Sequence, residues 1–262
     1  MLSKARIKWI RSLEVRKYRL RHQAFVAEGP KLVGELLARF TPLYVAATEE
    51  WLGGNRHLLG DGVEVDAVSR RELERASLLC SPQSVLAVMP VPQPASIPQS
   101  LTGGGGLILA LDGVQDPGNL GTILRTCDWF GVHAVLCSEG TADAYSPKCV
   151  QSCMGALARV EVCYCNLPEV LAGAETPVYG TFLDGTDIRE AELSPGGIVV
   201  MGNEGNGISA EVARHVSRRL FVPNFPPGSL TTESLNVAVC TGIVCAEFRR
   251  RLRAANPRPP LR

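Results

Sequence analysis

Short apolar runs punctuated by glycine and proline alternate along this chain with stretches whose apolar residues recur every three or four positions. At the front, Ile7, Ile10, Leu13 and Val15 recur among basic residues and predict an amphipathic helix over 3–22. Residues 24–27 read as a short strand, Glu28-Gly29-Pro30 as a turn, and 31–40 as a helix with Leu32, Val33, Leu36 and Leu37 on one side. Pro30 stands at the first helical position, where its missing N–H costs nothing. Strands at 43–46, 63–65 and 85–88, a short helix near Glu49 and a helix over 69–76 complete a small α/β domain, residues 1–89.

Residues 90–106 hold four prolines and four glycines and read as a linker. The glycines at 103–106 precede a strand, whereas a dinucleotide fingerprint follows one and opens a helix, so they are no nucleotide cradle. Beyond them, apolar strands at 107–111, 132–137, 160–162, 178–182, 198–201 and 220–222 alternate with helices at 120–130, 146–157 and 167–172. A last long helix opens at Ser234-Leu235-Asn236. Repeated β-α-β units with uniformly apolar strands predict a parallel sheet covered on both faces, over 107–255, with a basic tail at 256–262.

Two loops of this second domain carry the candidate chemistry. In Gly202-Asn203-Glu204-Gly205-Asn206-Gly207, three glycines surround a lone carboxylate at the end of a buried strand. Glycine there permits positive φ and lets a ligand lie on the peptide plane. In Thr232-Glu233-Ser234-Leu235-Asn236, the small polar residues suit either a helix cap or a small-molecule pocket at the strand ends of an open α/β sheet.

Composition narrows the classes. With 262 residues, 45% apolar, 20% charged and a formal net charge of +1, the chain is an ordinary globular one with no global field for nucleic acid. The distribution is less even. Residues 1–21 hold eight Lys/Arg against the single acid Glu14, and 249–262 hold six arginines and no acid. Basic ends on a neutral middle point to a polyanionic partner, or to solvated helix faces. Nine cysteines spread through apolar segments fit buried thiols in a reducing cytoplasm, and neither Cys149/Cys153 nor Cys163/Cys165 has zinc-site spacing, so no metal is expected. No apolar run reaches membrane-spanning length. Apolar residues on several sides of the last helix (Cys240, Ile243, Val244, Phe248) predict a face buried beyond the monomer core, in a homodimer.

Three segments stand in register: Leu111-Asp112-Gly113-Val114-Gln115-Asp116-Pro117-Gly118-Asn119 running on to Arg125; Val199-Val200-Met201-Gly202-Asn203-Glu204-Gly205-Asn206-Gly207-Ile208-Ser209; and Ser234-Leu235-Asn236-Val237-Ala238. In that order and spacing they resemble the three motifs of the SpoU/TrmH family, in the SPOUT superfamily, of RNA ribose 2′-O-methyltransferases. Ser146-Pro147-Lys148 through Met154-Gly155-Ala156 resembles a segment carried between the first two motifs. Phe25-Val26-Ala27-Glu28-Gly29 is similar to the ribosomal-protein-like RNA-binding module of rRNA-modifying members. Two features depart from the family pattern: a longer segment before Ser234, and Ala238 where serine is common.

The resemblance implies S-adenosylmethionine as methyl donor, 23S-type rRNA as acceptor, a homodimer, and a C-terminal trefoil knot. It places Gly202, Val222 and Leu235 in backbone and apolar contact with the cofactor, with Thr181 and Gly205 in the same pocket. It sets Arg125 near the ribose hydroxyl, as a base or as a stabiliser of phosphate and alkoxide. Asn119 would orient Arg125 or the ribose, Glu204 would accept hydrogen bonds from Arg125 or loop backbone, and Ser234 and Asn236 would fix the acceptor. Plainer roles stay open: Asn119, Ser234 and Asn236 as helix caps, Arg125 as a surface ion-pair residue. So do two other functions, a tRNA methyltransferase and a non-catalytic ribosome assembly factor. The tRNA enzymes usually lack a separate α/β module, so residues 1–89 argue for rRNA.

Overall fold

The computed structural model describes residues 2–93, 106–132, 134–226 and 228–255. Most of the expected linker and the tail 256–262 lie outside the described residues. The chain divides into two compact units, Met1–Gln93 with Asp143–Arg159, and Pro94–Ala142 with Val160–Arg262.

In the first unit, the single helix expected over 3–22 is two, α1 (Lys4–Ser12) and α2 (Arg16–His22). The break is held by Arg19, which is only 4% exposed. Its guanidinium donates to the carbonyls of Leu13 (2.7 Å) and Glu14 (2.6 Å), and to Asp143 Oδ2 at 3.0 and 2.7 Å. Carbonyls freed by the end of α1 thus find a buried donor. A buried pair broken on one side is costly, because the remaining charge loses its partner. Arg19→Ala is therefore expected to lower stability by about 3–5 kcal/mol. Urea unfolding checks this, and a loss of under about 1 kcal/mol would contradict the role given to the pair.

Strands β1 (Ala24–Glu28), β2 (Tyr44–Ala47), β3 (Glu64–Ala67) and β4 (Val85–Pro90) form a sheet in the order β1-β4-β2-β3, with β4 antiparallel to both neighbours. Helices α3 (Pro30–Leu37), α4 (Glu49–Asn55) and α5 (Arg70–Ala76) connect the strands. Ser69 and Glu72 close a capping box at the start of α5.

The helix expected over 146–157 departs from its prediction twice. It stops as α7 (Pro147–Ser152), because Met154 (φ 51°) and Gly155 (φ 91°) turn left-handed before a short 3-10 turn. The segment also packs into the first unit rather than the second. Gln151 donates to Glu28 O at 3.0 Å, Arg159 pairs with Glu35 at 2.7 Å, and the rings of Phe25 and Tyr145 lie 5.2 Å apart. A Cβ on Gly155 would stand 2.6 Å from Glu35 Cβ. By packing, the first domain is 1–93 plus an excursion drawn from the middle of the second.

The second unit is built on β5 (Leu107–Leu111), β6 (Ala134–Cys137), β7 (Glu161–Tyr164), β8 (Val178–Asp187), β9 (Gly197–Met201) and β10 (Arg218–Phe221). Their order is β10-β8-β9-β5-β6-β7, and every pairing among the described residues is parallel. Helices α6 (Pro117–Phe130), α8 (Leu167–Ala172), α9 (Ala210–Ala213) and α10 (Val237–Ala255) connect and cover it. The sheet is therefore the one predicted, with two differences. Strand β8 runs past the expected 182, and its pairing with β10 jumps from Gly180↔Arg219 to Thr186↔Leu220, so Thr181–Gly185 bulge out. Arg219 pins that bulge, pairing with Asp184 at 2.5 Å and lying 3.5 Å over the Phe182 ring.

Helix α10 packs on α6 and is clamped near its end. Arg249 donates to the carbonyls of Phe130 (2.6 Å) and Gly131 (2.8 Å), capping α6, while Arg251 donates to those of Ile188 (3.0 Å) and Ala191 (2.7 Å). Arg250, with Arg251, holds the carboxyl of Glu247 down at about 2. These three arginines are thus engaged within the fold rather than presented as a basic tail. Of the residues expected on an uncovered face of this helix, Val244 and Phe248 are buried in the unit's own core, while Ile243, with Val239, stays exposed.

Candidate active site

Strands β5 and β9 are neighbours, with Leu111 opposite Met201, so they end at one level and deliver their loops side by side. This is the position where open parallel sheets hold ligands. The loops are stitched together: Asp112 Oδ2 accepts from Ser209 N (2.7 Å), and Asn203 Nδ2 donates to Gly113 O (2.7 Å). Asn203 and Gly207 exchange backbone bonds of 2.9 and 3.0 Å, and Asn203 Oδ1 accepts from the N–H groups of Gly205 (2.9 Å) and Asn206 (3.0 Å). The three glycines have unlike reasons. Gly207 has φ +67°, the left-handed turn anticipated. Gly202 does not, but a Cβ there would lie 2.3 Å from Gly207 C and 2.4 Å from Ile208 N. Gly205 meets neither constraint.

Three polar side chains, one from each motif, form a chain of hydrogen bonds. Asp116, not Asn119, caps α6, accepting from Asn119 N at 2.8 Å. The Asn119 amide is thereby left to donate to Glu204 Oε1 (3.0 Å) and to accept from Asn236 Nδ2 (3.1 Å). Asn236 Oδ1 caps α10, accepting from Ala238 N (3.0 Å) and Val239 N (3.2 Å). A carboxylate only accepts, so Glu204 sets the orientation of both amides down to the helix N-terminus. Burial pushes the Glu204 carboxyl up, but hydrogen bonds from the Asn119 side chain and nearby backbone N–H groups outweigh it and hold it below the usual range. It stays ionised at neutral pH, and its contribution to the folded loop is lost only as acid titrates it below the ordinary carboxylate range.

Beside this chain opens a cleft of about 570 Å³, within the roughly 300–1,000 Å³ of small-molecule sites. Gly202, Gly205, Val222, Leu235 and Thr181 all line it, as do Glu204 and Ser234. Ser234 caps no helix; Asn236 takes that position. Phe182 and Leu183 of the β8 bulge form a further wall, for which periodicity carries no signal. Cys240, expected on the uncovered face of the last helix, lines the cleft instead; burial pushes its thiol up to about 11, so that it faces the cleft as a neutral group. Arg125 lies outside the lining. It is exposed on α6, six residues or about 9 Å of helix beyond Asn119, in no ion pair or hydrogen bond among the described residues.

The lining holds two carboxylates, Glu204 and Glu233, and no Lys or Arg. A phosphate-bearing cofactor would find no countercharge there. A cationic ligand with a flat apolar part would find carboxylates, apolar walls at Val222 and Leu235, and bare backbone at Gly202. Among the described residues, no group of His, Cys, Asp and Glu could hold a metal ion, and no helix is long and apolar enough to cross a membrane.

Comparison with known proteins agrees with this geometry. Residues 106–246 match the model of the SpoU rRNA Methylase family, and residues 4–87 that of the MRM3-like substrate binding domain. The Bacillus subtilis 23S rRNA (guanosine(2553)-2'-O)-methyltransferase RlmP is 30% identical over 250 residues, 93% of this chain and 96% of its own. A TrmH-family structure from Porphyromonas gingivalis superposes with a TM-score of 0.86 at 44% identity, covering 96% of this chain and 99% of that one. An AdoMet-bound rRNA methyltransferase from Sinorhizobium meliloti gives a TM-score of 0.83 at 27% identity, over 96% and 97% of the two chains. On the family match and the full-length relative together, this chain belongs to the SpoU rRNA methylase family.

Proposed function

We propose that this protein transfers a methyl group from S-adenosylmethionine to a ribose 2′-hydroxyl of 23S-type rRNA. The observation that carries the reading is the cleft itself, lined by carboxylates and no cation, in a member of this family. S-adenosylmethionine is such a ligand: it bears a sulfonium and an ammonium and no phosphate, and when bound it supplies an electrophilic methyl for in-line displacement.

The chain's residues do the rest. The Gly202 backbone, Val222 and Leu235 hold the adenine part; Thr181 and Gly205 complete the pocket. Glu204, Asn119 and Asn236 fix the loop ends so that donor and acceptor are aligned, from which most of the acceleration derives, up to roughly 7–11 kcal/mol in favourable cases. Ser234 and Asn236 orient the acceptor ribose. Arg125, with its planar fork of N–H donors and no acceptor, serves by holding the adjacent phosphate and stabilising the developing alkoxide.

Arg125 stands away from its own cleft, one helical turn from Trp129, which is 84% exposed. Trp129 on α6 and Val239 and Ile243 on α10 are exposed apolar side chains on two packed helices; a second copy covers them, and the homodimer brings Arg125 to a completed site. With this reading go a threaded C-terminus and a reducing, cytoplasmic setting for nine free thiols.

Titration calorimetry with S-adenosylmethionine tests the reading: one cofactor bound per chain, not displaced by equimolar ATP. Displacement by ATP, or no binding, would sink it.

A further inference from the structure

The near-neutral total charge conceals two opposite units. The first unit, Met1–Gln93 with Asp143–Arg159, holds sixteen Lys/Arg against eleven Asp/Glu, and the second holds eleven against fifteen. A polyanion is therefore drawn to the first unit.

Within that unit, the cations near the N-terminus divide into two sets. Arg6 pairs with Glu64 and lies 4.3 Å over the Tyr44 ring, Arg11 donates to the carbonyls of Arg75 (3.4 Å) and Ser77 (3.3 Å), and Arg19 is buried on Asp143. Lys4, Lys8, Arg16, Lys17 and Arg21 are exposed and in no ion pair among the described residues.

Helix α2 carries three of that free set and is rigidly mounted, because Arg19 ties its inner side both to Asp143 and to the turn that precedes it. At about 100° per residue, Lys17 and Arg21 stand opposite the buried Arg19, with Leu20 on one flank and Tyr18 on the other. Tyr18 is 37% and Leu20 58% exposed. Two cations between an aromatic and an aliphatic side chain match a nucleic-acid strand better than a duplex: phosphates pair with the cations, and an unpaired base offers a face to the ring.

We propose that the outer face of α2 docks an unpaired RNA segment, with Lys17 and Arg21 on phosphates and Tyr18 stacked on a base. This rests on the reading that the substrate is RNA. The test measures the affinity of the full chain for a protein-free 23S rRNA transcript and for a perfectly paired RNA duplex across a salt series. Lys17→Glu/Arg21→Glu is expected to weaken transcript binding at least tenfold and to flatten the salt slope by about two. Lys17→Gln/Arg21→Gln, the gentler pair, moves both in the same direction. Tyr18→Ala is expected to weaken transcript binding about tenfold and leave duplex binding unchanged. Wild-type affinity and slope in both double variants would overturn the proposal. So would a Tyr18→Ala that weakens duplex equally, or one that changes only self-association. A wild-type chain with no salt-dependent RNA binding at all would overturn the RNA-methyltransferase reading beneath it.

Discussion

Gly202→Ala will abolish cofactor binding, and methyl transfer with it. The added Cβ would lie 2.3 Å from Gly207 C, 2.4 Å from Ile208 N and 2.6 Å from Gly207 O. All three are backbone atoms, so no side chain can swing away to make room. The loop must open at the Asn203–Gly207 bridge, which also carries Glu204 and the wall of the cleft. A displacement near 1 Å of positioned reacting groups alone costs about a hundredfold in transfer rate, and the cofactor loses its seat on the same loop. Gly34→Ala, on α3 in the first unit, is the control: a new Cβ there has nothing within 4 Å, so calorimetry should find its affinity within about threefold of wild type. Gly202→Ala binding within that same range would show that the loop is not the cofactor's seat.

Arg125→Ala separates chemistry from binding. Arg125 lines no part of the cleft, so S-adenosylmethionine should bind the variant as it binds wild type. If the guanidinium stabilises the phosphate and alkoxide, single-turnover transfer should fall by about 10²–10³, as when one oxyanion donor is removed. Arg125→Lys should recover only part of that, because an ammonium supplies a point charge without the planar two-pronged geometry. Loss of cofactor binding together with transfer would mean that the arginine supports the fold. Unchanged transfer would exclude it from the reaction.

Much of this architecture is legible in the chain. The apolar runs at 107–111 and 198–201 read as buried strands because both their faces are covered, and their loops could be matched by order and spacing to three motifs. What those loops do with their polar residues was less legible. Asn119 and Asn236 each sit at a helix start, where an amide serves as a cap; only the placement of Asp116 beside Asn119 decides which of them is free. Asn236 does both, with one oxygen on the helix and one nitrogen on Asn119.

Other features depend on partners far away in sequence. Arg19 looks like its basic neighbours until Asp143, 124 residues on, buries it and breaks the helix. Residues 146–157 carry a helical pattern, yet their place in the first unit rests on Gln151 meeting Glu28 and on Gly155 lying against Glu35. The β8 bulge leaves no periodic trace, since its apolar residues are consistent with a straight strand until Arg219 and Leu220 are set opposite. Spacing reports local geometry and burial; it does not report which distant group claims a side chain.

The most direct test of the central claim is transfer of labelled methyl from S-adenosylmethionine to protein-free 23S rRNA and tRNA transcripts, followed by alkaline hydrolysis. A 2′-O-methyl group blocks cleavage of the adjacent phosphodiester. The account predicts label in alkali-resistant dinucleotides from rRNA and none from tRNA. Label in alkali-sensitive mononucleotides, or no label in a chain that binds the cofactor and the transcript, would contradict it.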